Sequence, residues 1–82
     1  MKLLYKSEKG KVMEDVSNST IIVYRTGIRD YDGIKDTYTY RTTINYETGL
    51  YTAERCTGYH ANYYDIYKDR ARAIEAAIQE IS

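Results

Sequence analysis

The stretch NYYDIYKDRARAIEAAIQEI, from Asn62 to Ile81, decides how the rest of the chain is read. At about 100° per residue, Tyr63, Tyr67, Ile74, Ile78 and Ile81 fall on one side of a helix. Ile66, Ala71 and Ala77 flank them, and Asp65, Lys68, Asp69, Arg72, Glu75 and Gln79 fall on the other side. This is the stripe of a helix laid across a sheet. Asn62 stands where an N-cap is needed, and Asp65 where a capping-box acid would be. Asp65 and Asp69 also suit the positive end of the helix dipole. Alanines at 71, 73, 76 and 77 add helix propensity and allow close approach. Arg70 lies inside the apolar stripe. Its stem can pack while the guanidinium reaches water or a carboxylate; alternatively it marks the edge of an interface, where arginine is enriched.

Everything upstream reads as strands that need this helix. Lys2–Ser7 is a short strand with Leu3, Leu4 and Tyr5 as its apolar part, and Glu8 to Lys11 is a turn. Val12–Val16 is a second short strand or an irregular crossing. Thr20–Asp30 is β-branched and aromatic at Ile21, Ile22, Val23, Tyr24 and Ile28. Asp32-Gly33 then predicts a type I′ hairpin. Lys35–Tyr46 alternates, with Tyr38, Tyr40, Ile44 and Tyr46 on one side and Thr37, Thr39, Arg41, Thr43 and Asn45 on the other. Glu47-Thr48-Gly49 reads as a three-residue hairpin loop with glycine in the left-handed position, followed by a strand Leu50–Thr57.

That loop length pairs Tyr46 with Leu50, Ile44 with Thr52 and Tyr40 with Cys56. The face under the helix is then Tyr38, Tyr40, Ile44, Tyr46, Leu50, Cys56, Ile21 and Val23. The open face carries Ile22, Tyr24, Thr39, Arg41, Thr43, Asn45, Tyr51, Ala53 and Arg55. The expected fold is α+β: an antiparallel sheet of three long strands plus one or two short N-terminal strands, with one C-terminal helix packed on one face. All 82 residues are expected to form a single domain.

Composition narrows the function. Twelve basic and twelve acidic residues give zero formal charge, which disfavours a bulk-electrostatic binder of nucleic acid or membrane. One cysteine allows no intrachain disulfide. All eleven aromatics are tyrosine, so several rings are expected at the margin of the core with the hydroxyl wet. No signal peptide or transmembrane span is read, so a cytoplasmic location is expected.

Cys56 and His60 lack a third group to orient the base, and Cys56 falls on the predicted core face, so a buried structural thiol is expected. The acid pairs Asp30/Asp32 and Asp65/Asp69 are accounted for by a turn and a helix start. No phosphate-binding glycine loop is present. The expectation is no enzyme, no cofactor and no metal site. The candidate partner-binding residues are Tyr24, Arg41, Tyr51 and Arg55 on the open face, Tyr59 and Tyr64 around the helix start, and Arg70. Tyrosine and arginine are hot-spot residues at protein interfaces. They also stack single-stranded bases and hold phosphates, which makes RNA or single-stranded DNA binding the alternative. A homodimer that completes a thin core is a third reading.

In size, layout and lack of a catalytic set, the chain resembles the small accessory proteins of phages and other mobile elements. Many of those bind and block a host protein, anti-CRISPR and other anti-defence proteins among them. The resemblance implies a small protein-binding inhibitor acting in the cytoplasm of a host cell.

Overall fold

The computed structural model describes residues 1–55, 60–64 and 69–82, with Arg29, Tyr31, Asp36, 53–55 and 60–64 described by backbone alone. Six strands follow one another: β1 (Lys2–Ser7), β2 (Gly10–Asp15), β3 (Thr20–Tyr31), β4 (Ile34–Asn45), β5 (Leu50–Arg55) and β6 (His60–Tyr64). They form one antiparallel sheet in sequence order, and the helix α1 (Arg70–Glu80) covers one face over β2 and β3. The fold is the expected α+β layout with one strand more.

That strand corrects the sequence reading. His60 to Tyr64 pair with β5, Tyr64 opposite Leu50 and His60 opposite Glu54, so the helix does not begin at Asn62. Tyr63 fits a helical stripe, but tyrosine also favours strands, and the hydrogen-bond ladder that β5 offers to Tyr63 and Tyr64 decides the outcome. The helix cap lies seven residues later than expected. It is Asp69, whose carboxylate accepts from the Ala71 N–H at 3.0 Å. Asp65, Ile66, Tyr67 and Lys68 lie outside the described residues.

The core lies between α1 and the sheet. Val12, Ile21, Val23 and Ile44 meet Ala73, Ala77 and Ile81, all essentially inaccessible, with Ile74 and Ile78 packed alongside. Spacing of four along α1 puts the two alanines and Ile81 in one row, and the small methyls let the helix axis sit close to β3. A bulge between Leu3 and Tyr5 breaks the alternation of β1, so both Leu4 and Tyr5 pack on the core. The helix C-terminus is tied to the β1–β2 hairpin: Ser7 Oγ donates to the Ile81 carbonyl, and Lys9 Nζ to that of Ser82 at 2.9 Å.

The β3–β4 turn is as expected, with φ of 50° at Asp32 and 79° at Gly33. The β4–β5 turn is not. Asn45 pairs with Leu50 and Ile44 with Tyr51, one residue out of the expected register, and Tyr40 faces Arg55 rather than Cys56. Tyr46 leaves the ladder because its N–H donates to Ser19 O at 2.9 Å. The loop is instead closed on Asn45, whose Oδ1 accepts from the N–H groups of Glu47 and Thr48, both at 3.0 Å. One extra loop residue turns every side chain of a strand over. Tyr51 therefore packs on the helix side, and Leu50 moves to the open side.

Gly10 marks a close approach. It pairs with Arg25 where β2 begins, and a Cβ there would overlap the Tyr24 backbone carbonyl. Since that neighbour is backbone, the strands must part. Gly10→Ala is expected to lower stability by about 1–3 kcal/mol, the range of small-to-large substitutions in packed sites, measured as a lower urea midpoint at unchanged slope.

Candidate functional site

Cross-strand pairing arranges the open face in rows. One row runs Lys6, Lys11, Tyr24, Arg41 across β1 to β4 and ends at Glu54, the partner of Arg41 on β5. The next runs Leu3, Met13, Ile22, Thr43, Thr52 across β1 to β5. The first is basic and aromatic. The Lys11 ammonium stands 5.4 Å from the centre of the Tyr24 ring, within cation–π range. The second is apolar toward β1, where Ile22 is buried between its neighbours while Leu3 is 53% exposed. Beside Tyr24, a groove of about 370 Å³ is lined by Lys6, Glu8, Lys11, Thr26 and Thr39 among others. The helix covers the opposite face, so this face is open to a partner among the described residues.

The sequence-derived candidates divide. Tyr24 and Arg41 lie on the open face, as expected, and the β3–β4 register sets them directly opposite each other. Tyr51 does not join them. The register change carries it to the helix side, where its hydroxyl donates to Glu80 at 2.6 Å. Burial, reinforced by the Glu80 carboxylate, pushes the Tyr51 hydroxyl up to about 12. The backbones of Arg55 and Tyr64 lie on β5 and β6, and their side chains are outside the description. Tyr59 and Cys56 lie outside the described residues altogether.

Arg70 has a carboxylate partner. Its Nε and Nη2 donate to Glu14 Oε2 at 2.7 Å and Oε1 at 2.6 Å, a two-pronged bridge from the first turn of α1 to β2. Tyr46 Oη adds a third donor to Glu14 Oε2 at 3.2 Å. Glu14 is 1% exposed, and the hydrogen bonds from Arg70 hold its carboxyl below the usual carboxylate range against the effect of burial. The arginine is half exposed and acts here as a fastener between helix and sheet.

Sequence reasoning missed Lys6 and Lys11. The two-residue turn at Glu8-Lys9 was the available signal: centring a hairpin there pairs Lys6 with Lys11. Among the described residues no group of three His, Cys, Asp or Glu is placed to hold a metal ion, and no helix is long and apolar enough to cross a membrane. No family model, curated protein or solved structure matches this chain.

Proposed function

We propose that this protein is a non-enzymatic protein-binding module, of the inhibitor type, that makes contact through its open sheet face. The observation that carries the reading is Tyr24, set between Lys11 and Arg41 and bordered by the apolar row of Leu3, Met13 and Ile22. Aromatic and guanidinium groups beside apolar surface make the centre of many protein interfaces. The test is capture of partners from cells that make the protein, with and without nuclease. The expected result is a protein partner that survives nuclease. Tyr24→Ala and Arg41→Ala should each weaken its binding about 30-fold, the scale of a hot spot near 2 kcal/mol. Undiminished affinity in both variants defeats this assignment of the face.

The row of Lys6, Lys11 and Arg41 supports a second reading, a single-stranded nucleic acid whose bases stack on Tyr24. That reading requires loss of the captured material on nuclease treatment and a steep fall of affinity with salt.

A further inference from the structure

The groove of about 370 Å³ on the open face lies where the end of the β1–β2 hairpin meets β3. Its wall is fixed from the helix side of the sheet. The Thr26 N–H donates to the Lys9 carbonyl at 3.1 Å, which holds the turn against β3. Ser7 Oγ accepts from the Lys9 N–H at 3.2 Å and donates to the Ile81 carbonyl. Lys9 Nζ donates to the Ser82 carbonyl at 2.9 Å. Lys9 is thereby drawn to the end of the helix, and Lys6 and Lys11 are the lysines that line the groove. A groove shaped before any ligand arrives costs less to fill.

Its chemistry is that of an anion site. Lys6 and Lys11 are direct cross-strand partners, and both are exposed. Like charges set opposite each other on a sheet destabilise it. Neither ammonium has an ion-pair partner among the described residues, and Glu8, which also lines the groove, bridges to neither. The Lys11 ammonium is further steadied by the Tyr24 ring, 5.4 Å from its centre. Two facing lysines with no acid bridged to them match one ligand that carries two negative charges. A phosphate monoester carries about −1.5 to −2 at neutral pH and offers three acceptor oxygens. A carboxylate carries half of that charge.

The extent of the basic surface separates a small ligand from a polymer. It is one row deep. Toward the hairpin tip the next pair is Thr26 opposite Thr39, and on the other side the next row is Leu3, Met13 and Ile22. Across the sheet the row ends at Glu54. A nucleic-acid strand running along β3 in either direction leaves the lysines after a single phosphate, and a chain of zero formal charge supplies no wider field. The volume is in the range of small-molecule sites, about 300–1,000 Å³, and is larger than inorganic phosphate alone requires. The space beyond the lysines runs along Tyr24 and Thr26, an aromatic ring and a hydroxyl that suit an organic group.

We propose that this groove is a binding site for a small phosphate monoester of about mononucleotide size, with the phosphate between Lys6 and Lys11 and the organic part along Tyr24 and Thr26. The site goes beyond the protein-binding reading, and the purified chain suffices to test it, so either can fail while the other stands. The test is calorimetric titration of the full chain, at physiological salt, with adenosine 5′-monophosphate, adenosine, inorganic phosphate and decathymidylate. The expected result is one site per chain for the monophosphate, with a Kd below about 1 mM and at least about tenfold tighter binding than adenosine or inorganic phosphate. Lys6→Gln and Lys11→Gln should each weaken it about tenfold, the loss of one charge-assisted contact. Neither should lower the melting temperature, because both side chains are exposed and each change relieves a repulsion. Glu8→Gln should bind the monophosphate at least as tightly as the parent. Absence of monophosphate binding, or affinity unchanged in both lysine variants, overturns the site. Inorganic phosphate or adenosine binding as tightly as the monophosphate overturns the two-part ligand. Decathymidylate binding more tightly than the monophosphate overturns the small ligand in favour of a strand.

Discussion

Ile21→Ala is expected to bring this domain close to its unfolding threshold, while Ile28→Ala leaves stability within about 0.5 kcal/mol of the parent. Both residues lie on β3, seven positions apart, and both are β-branched in a strand, so backbone preference is the same for each. Burial separates them. Ile21 has no accessible surface, stands between Glu14 and Ile44 in the sheet and belongs to the cluster under Ala73, Ala77 and Ile81. Removing its outer methyls forfeits transfer energy and leaves a cavity, about 2–5 kcal/mol for Ile→Ala in a core. At roughly 0.05–0.15 kcal/mol per residue, a chain of 82 residues has about 4–12 kcal/mol in total. The core is small, and no disulfide supplements it, so a loss of that size is a large fraction of the whole. Urea titration reads both variants. A midpoint for Ile21→Ala equal to that of Ile28→Ala would show that the helix does not seal this face of the sheet.

The fold was legible where one residue type carries one physical demand. Asp32-Gly33 announces its turn because two successive positive φ angles suit few other pairs. The alternation of β4 was equally plain, whereas the helical stripe was read one residue off: it was centred on Ile74 and Ile78, which pack beside the fully buried row of Ala73, Ala77 and Ile81. Reading failed where two demands compete for the same residues. Tyr63 and Tyr64 suit a strand or a helix, and what decides between them is β5, itself found only by folding. The β4–β5 loop failed for another reason. Its length depends on Asn45 capturing two N–H groups and on the Ser19 carbonyl holding Tyr46, a contact across 27 residues of sequence. That one residue of error moved Tyr51 from the candidate face to the core margin. Tyr24 and Arg41 were placed correctly because the tight turn at Asp32-Gly33 fixes the β3–β4 register by itself.

Arg70→Met is expected to be the most damaging change outside the apolar core, and it should reverse the sign of the acid response. In the parent, Glu14 is buried and bridged by Arg70, so its carboxyl is held below its ordinary value of 4.5 in the folded state. A lowered folded value means the folded state holds the proton less tightly than the unfolded chain. The stabilisation is complete above the unfolded carboxylate range and is lost as pH falls through the folded value. The parent therefore weakens below about pH 4.5. With Arg70 gone, Glu14 keeps only the Tyr46 hydroxyl among these donors, and burial now dominates and raises its carboxyl instead. At neutral pH the variant holds an uncompensated buried charge, and its Tm should drop by about 10 °C or more. Acidifying from pH 7 toward 5 should then restore part of the loss by neutralising Glu14, whereas in the parent the Glu14–Arg70 bridge contributes no change over that interval. Glu14→Leu should cost less, because half-exposed Arg70 can turn its guanidinium to water. The double variant, Glu14→Leu with Arg70→Met, exchanges the pair for apolar contact and should melt near the parent, as buried pairs replaced whole commonly do. Thermal melts of the four proteins at pH 7 and pH 5 measure all of this. If Arg70→Met melts like the parent at both pH values, the bridge does not fasten α1 to β2.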